Sequence, residues 1–271
     1  MNLESCIGFG IAGNFAGHLE QAGESKDFEN LHIDKDKPQG IFPFYIPNTY
    51  KNLGTYPISD KFQFLSSSEN VQVEPEVVLY CELVYNGDVV EKIIPKSFSA
   101  FNDCTIRKDN ALKISEKKNW GKNSKGISNN WISIDSFDEN GILSNYSISS
   151  YVYRDGNLEK YGVKAKVSDY TLFYQELLDW AVNCINSQKD EGPLENLSSV
   201  LNNAKMPTHC LLAVGATAYE SFGENNYIKV GDTIYVVVHK SEDTNIETRI
   251  LNSDLDCNDI SYVKQTTITN I

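Results

Sequence analysis

Apolar positions along the chain cluster into short runs separated by turn residues, and most of these runs read as strands. EVVLYCELVY at 76–85 is followed by Asn86-Gly87-Asp88 and then VVEKIIP, which predicts a hairpin with Asn86-Gly87 at its tip. WISIDSF, SISSYVYRDGNLEKYGV, CLLAV and TIYVVVHK extend the β character towards the C-terminus. One stretch has the helical period instead. In SDYTLFYQELLDWAVNCINSQ, residues Leu172, Phe173, Leu177, Trp180, Ala181, Cys184 and Ile185 recur at steps of three and four, with Ser168 or Asp169 as the cap. Polar stretches at 24–40, 105–130 and 186–206 read as loops, the middle one lysine- and asparagine-rich and partly mobile. The pattern predicts an α+β chain with a large β component, and it lacks the alternation of a βαβ series.

The formal net charge of −13, with no basic cluster to offset it, argues against a nucleic-acid partner. No apolar run approaches the ~20 residues needed to span a bilayer, and the N-terminus has no signal-peptide pattern. Cys6, Cys81, Cys104, Cys184, Cys210 and Cys257 are scattered, without C-x-x-C or zinc-like spacing. They read as free thiols in a reducing cytoplasm.

Two features carry candidate chemistry. Gly8, Gly10 and Gly13 spell G-x-G-x-x-G, and Asp34 or Asp36 lies where a ribose-binding acid would sit. A dinucleotide site also needs a buried strand before the glycines and a helix after them, and the flanking residues supply these poorly. Glu74 and Glu76 lie two apart at a strand entry, so both side chains point to one face, while Pro75 faces away. Asp103 ends another strand-like run. Three carboxylates with water in the remaining positions suit Mg²⁺ or Mn²⁺. Spacing alone favours a solvated strand face for the two glutamates.

The order of segments resembles the fumarylacetoacetate hydrolase superfamily over roughly 8–240. It runs from Asn14, Phe15 and His18 (N-[FY]-x-x-H) through Glu74-x-Glu76 to Asn102, Asp103, Thr105 and Arg107 (N-D-x-T-x-R). Lys125-Gly126-Ile127 leads on to Trp131-Ile132, and then come Asp155-Gly156, Gly215 and the turn YIKVGD at 227–232. The resemblance implies a β-roll or sandwich core with one long amphipathic helix and a short N-terminal lid helix. It also implies a single domain over 1–271, with 1–40 as glycine loop and lid and 41–271 as β-rich core.

The activity it implies is that of a metal-dependent enzyme acting on small 2-oxo or β-diketo acids through a metal-stabilised enolate. Glu74, Glu76 and Asp103 would hold Mg²⁺ or Mn²⁺. His18 would move a proton, Lys125 would face the developing oxyanion, and Gln21 and Thr217 would complete the catalytic group. Asn14, Phe15, Arg107 and Gly215 would border the substrate. Family members are often dimers, so a homodimer is among the expectations.

This sequence departs from the family pattern in three places. Gln21 stands where a water-handling glutamate is common, and glutamine cannot take a proton. This favours decarboxylation or isomerisation over C–C hydrolysis. The short interval from Lys125 to Trp131 leaves Lys122 as an alternative for the lysine, and because Lys125 sits among Lys117, Lys118 and Lys122, a solvated loop lysine is its competing reading. Thr217 lies one place beyond the family's threonine. These departures sustain a second reading, a non-catalytic relative that binds a small acid or a metal.

Overall fold

The computed structural model describes residues 1–29, 31, 37–50, 52–65, 70–108 and 111–269. Strands β1 Ile7–Ala12, β2 Gly40–Tyr45, β3 Ile58–Ser59, β4 Phe62–Leu65 and β5 Asn70–Gln72 precede the long hairpin of β6 Pro75–Asn86 and β7 Val89–Asn102. Three short strands follow, β8 Thr105–Arg107, β9 Lys125–Ile127 and β10 Ile132–Ser133. The last five are β11 Tyr146–Arg154, β12 Asn157–Lys166, β13 His209–Ala213, β14 Thr233–Lys240 and β15 Ser261–Thr269. The helices are α1 His18–Gln21, α2 Ser115–Lys118, α3 Tyr174–Ser187, α4 Leu197–Asn203, α5 Ser221–Asn225 and α6 Ile246–Leu251.

One sheet has eight strands, ordered β2-β1-β13-β6-β7-β9-β3 with β10 also on β7. A second has five, ordered β12-β11-β14-β15-β4. They face each other where β7 meets β14 and β15, and β6 meets β11. The core between them is aliphatic and aromatic, with Phe98 of one sheet edge-on to Tyr146 of the other at 5.0 Å. Helix α3 lays Leu177, Leu178, Ala181 and Ile185 into the core from beside β7. The chain is thus a mainly-β α+β fold with one long amphipathic helix, as the pattern predicts.

The glycine motif has a different physical cause from a phosphate loop. Gly8 and Gly10 lie inside β1, which pairs parallel with β13 and antiparallel with β2. A Cβ at Gly8 would stand 2.3 Å from the Phe44 ring, and one at Gly10 2.3 Å from the Phe42 ring. The glycines therefore let two β2 aromatics lie across β1. Among the described residues that follow there is no long helix, only the short α1 and a 3-10 turn at Ser25–Phe28, so the dinucleotide option fails. Asp34 and Asp36 lie outside the described residues.

Local expectations shift in four places. The hairpin tip is Gly87-Asp88, one place on, because Asn86 still pairs with Val89. Helix α3 starts at Tyr174, since Asn14 holds the preceding backbone extended through Thr171 N–H to Asn14 O at 2.9 Å and Leu172 N–H to Asn14 Oδ1 at 2.9 Å. Ser168 and Asp169 instead belong to a separate 3-10 turn. The segment 186–206 contains α4, and 105–130 contains β8, α2 and β9 with Lys117, Lys118 and Lys125 all buried, so Lys125 is not a solvated loop lysine.

Candidate active site

A kink shared by two paired strands builds the site. β5 pairs with β8 and β6 pairs with β7, so Glu74, between β5 and β6, lies opposite Asp103, between β7 and β8. The Asp103 N–H donates to Glu74 O at 2.9 Å and closes the ladder across the kink. Glu76 is the second residue of β6. One carboxylate oxygen from each of Glu74, Glu76 and Asp103 lies within 4.8 Å of the others. Such convergence of buried acids requires cations or protons nearby.

The chain supplies four cations. Lys118, the last residue of α2, bridges Glu74 Oε2 and Asp103 Oδ2, the latter at 2.7 Å. Lys125, the first residue of β9, lies 3.1 Å from Asp103 Oδ1 and donates to the carbonyls of Asp103 and Cys104. Arg107 donates to Glu74 Oε1 and to Glu24 Oε1, each at 2.7 Å, and also to Gln72 and the Tyr219 hydroxyl. Lys117 pairs with Glu24 at 2.9 Å and with Asp27 at 3.0 Å.

Burial and neighbouring charge act on each group in opposite or reinforcing senses. Burial raises the Glu74 pKa, but Lys118 and Arg107 more than reverse it, and the carboxyl lies well below the usual range. Glu76 has no ion pair among the described residues, only the Gly215 N–H at 2.8 Å. Burial, and then the Asp103 charge, push it well above the carboxylate range. Burial opposes the Lys118 ammonium, yet Asp103 and Glu74 hold its pKa above that of an ordinary lysine. For Lys125 burial prevails and its pKa is lowered.

A short lid covers the acids. His18, at the start of α1, is buried with Nε2 3.9 Å from Glu74 Oε1, and its ring leans on Tyr219 at 5.2 Å. Its Nδ1 is buried without a hydrogen-bond partner among the described residues. Glu24, further along the lid, is clamped by Arg107 and Lys117. Glu74, Glu76 and Asp103 are at most 2% exposed, so a small molecule reaches them only if this cover moves. Outside the clamp lies a groove of about 480 Å³ lined by Gln21, Gly23, Glu24, Gln72, Arg107 and Lys117.

The other expected residues divide into two groups. Lys125 is buried beside Asp103, whereas Lys122 is exposed. Gly215 has φ +114° and turns its N–H onto Glu76. Thr217 is buried beside Pro75, to whose carbonyl its N–H donates at 3.3 Å, with its hydroxyl unbonded among the described residues. Asn14, by contrast, spends its side chain on the backbone of Leu172 and Val214. Phe15 packs edge-on against Tyr170 at 5.5 Å. Gln21 is tied to the Tyr219 backbone, donating to its carbonyl at 3.3 Å and accepting from its N–H at 2.7 Å.

Sequence reasoning missed Lys118, Tyr219 and the role of Glu24. No spacing signal marks them, because each is defined by a partner distant in the chain.

No curated protein matches the chain. Solved structures share its fold at low identity. A 5-carboxymethyl-2-hydroxymuconate delta-isomerase from Mycobacterium smegmatis matches at TM-score 0.53 and 15% identity, over 99% of this chain and 81% of that one. A protein from Oleispira antarctica, provisionally named a fumarylacetoacetate isomerase/hydrolase, matches at TM-score 0.53 and 11% identity, over 97% and 93%. A 2-keto-3-deoxy-D-arabinonate dehydratase, solved with magnesium and 2,5-dioxopentanoate, matches at TM-score 0.50 and 14% identity, over 97% and 73%. The architecture is thus that of the fumarylacetoacetate hydrolase superfamily, and a family model covering residues 24–267 shows that the chain belongs to DUF5718, a family of unknown function.

Proposed function

We propose that this protein is a divalent-cation-dependent enzyme acting on a small 2-oxo or β-diketo acid. The observation that carries the reading is the convergence of Glu74, Glu76 and Asp103 beneath a histidine-bearing lid. The donor set fits a hard cation, since it offers three carboxylate oxygens and Glu76 is free of any ion pair among the described residues. Mg²⁺ or Mn²⁺ bound there supplies Lewis-acid polarisation of the substrate's carboxylate and 2-oxo oxygens. The likeness to a dehydratase solved with magnesium and an oxo acid supports the same choice of ligand.

The chain's own residues do the rest. Lys125 holds Asp103 in place and adds a fixed positive charge where an enolate oxygen develops. His18 Nε2 faces Glu74 and can deliver or remove a proton at substrate carbon, imidazole being the side chain suited to neutral pH. The closed lid excludes water. Gln21 is bound at both ends of its amide to Tyr219, Glu24 is clamped by two cations and Glu20 is exposed, so none of these three offers a free carboxylate beside the buried acids to activate water. Decarboxylation or isomerisation is favoured over C–C hydrolysis for that reason. The same observations support a second reading, a non-catalytic relative that binds a small acid or a metal.

A panel of oxo acids, acylpyruvates included, incubated with Mn²⁺ or Mg²⁺ tests both. The expected result is cation-dependent loss of CO₂ or keto–enol conversion, abolished in Asp103→Asn. Binding of the acids without product across the panel selects the non-catalytic reading.

A further inference from the structure

We propose that Lys118 is the resident cation of the carboxylate site, and that a divalent ion enters only by displacing its ammonium from Glu74 and Asp103. The inference rests on the cation-site reading above and deepens it. Every oxygen of two of the three acids already has a cationic partner. On Glu74, Oε1 takes Arg107 and Oε2 takes Lys118. On Asp103, Oδ1 takes Lys125 and Oδ2 takes Lys118. A metal ion coordinated to these acids sits ~2.0–2.6 Å from their oxygens, in the space an ammonium within hydrogen-bond distance already fills. Two cations there would also repel each other strongly at low local dielectric.

One partner must therefore leave, and the anchoring differs among them. Arg107 is held independently by Gln72, Glu24 and the Tyr219 hydroxyl. Lys125 is held by two backbone carbonyls. Among the described residues the Lys118 ammonium has ion pairs only with the two site carboxylates, and behind it lies the Phe42 ring at 4.8 Å. It is the member that can swing out with the fewest lost bonds.

The charge count points the same way. The ion pairs match in number: Glu24, Asp27, Glu74 and Asp103 stand against Arg107, Lys117, Lys118 and Lys125, and Glu76 has no ionic partner among the described residues, so no deficit is left for a dication to fill. The site is self-neutralised, and cation uptake is a replacement.

Mn²⁺ binding to the full-length protein, followed by calorimetry and by the EPR signal of free Mn²⁺ at one fixed pH, tests this. Lys118→Met should bind Mn²⁺ on the order of ten-fold or more tightly than wild type, since one competing charge is gone. Its Mn²⁺-induced rise in Tm should be larger too. Lys118→Arg keeps the charge and offers a fork to both carboxylates, so it should bind Mn²⁺ more weakly than wild type. Should Lys118→Met fold only with Mn²⁺ present, that dependence itself supports replacement. Equal Mn²⁺ affinity in wild type, Lys118→Met and Lys118→Arg overturns the inference and leaves the cation site standing. Absence of Mn²⁺ binding in all three overturns both.

Discussion

Asn14 illustrates how a single side chain can resemble a binding residue and serve as a strap. Its Nδ2 donates to Val214 O at 2.8 Å and Leu172 O at 3.0 Å, and its Oδ1 accepts from Leu172 N at 2.9 Å. No bonding capacity remains for a substrate beyond one carbonyl lone pair. Asn14→Ala would leave these buried backbone groups unpartnered, at a cost of roughly 2–4 kcal/mol in urea unfolding. A raised KM with unchanged stability would instead return Asn14 to the substrate. The carboxylates behave differently, because their chemistry is set by which cation each one meets. Glu74 meets two and stays charged, while Glu76 meets an N–H and holds its proton well above the usual range.

At the scale of elements, β1 and the lid each make a testable claim. Gly10→Ala forces a methyl into the Phe42 ring, and overpacking of this kind costs about 1–3 kcal/mol. NAD(H) should produce no rise in Tm in wild type, and a saturable rise would revive a nucleotide site at 8–13. The lid is held by Glu24 between Arg107 and Lys117, two charge-assisted bonds inside a low-dielectric wall. Glu24→Gln keeps the shape and removes the charge. Amide exchange across 18–28 should quicken at least about ten-fold while β6 and β7 stay protected. Unchanged exchange there would mean that Gln21 and Tyr219 alone hold the lid.

At the scale of the whole molecule, stability depends on pH through a buried histidine in the five-stranded sheet. His239 Nδ1 lies 2.8 Å from Lys240 O, an acceptor only, so Nδ1 carries the proton and Nε2 accepts from the Ser149 hydroxyl at 3.0 Å. Burial lowers its pKa from 6.5 to about 4. The unfolded chain then binds the proton more tightly than the folded one. The stabilisation is complete above pH 6.5 and is lost as pH falls towards 4. Between pH 7.5 and 4.5, wild type should lose roughly 2–3 kcal/mol more than His239→Gln in denaturant titrations. Equal losses would show that the proton enters without breaking the sheet.

Local order was legible along the chain wherever neighbouring residues carry it. The 76–95 hairpin, the amphipathic face of α3 and the same-side pair Glu74 and Glu76 all follow from periods of two and 3.6, which are properties of the backbone itself. The segment order also resembles a superfamily whose fold the chain has. Tertiary structure alone decided what the glycines and lysines do. Gly8 and Gly10 read as a loop until Phe42 and Phe44, more than thirty residues away, lie across them. Lys117, Lys118, Lys122 and Lys125 are chemically alike and close in sequence, yet three are buried and one is exposed. A lysine enters the interior only where anions wait for it, and here those anions come from residues 24, 74 and 103. That meeting is made by strand pairing across the kink, and no period along the chain encodes it.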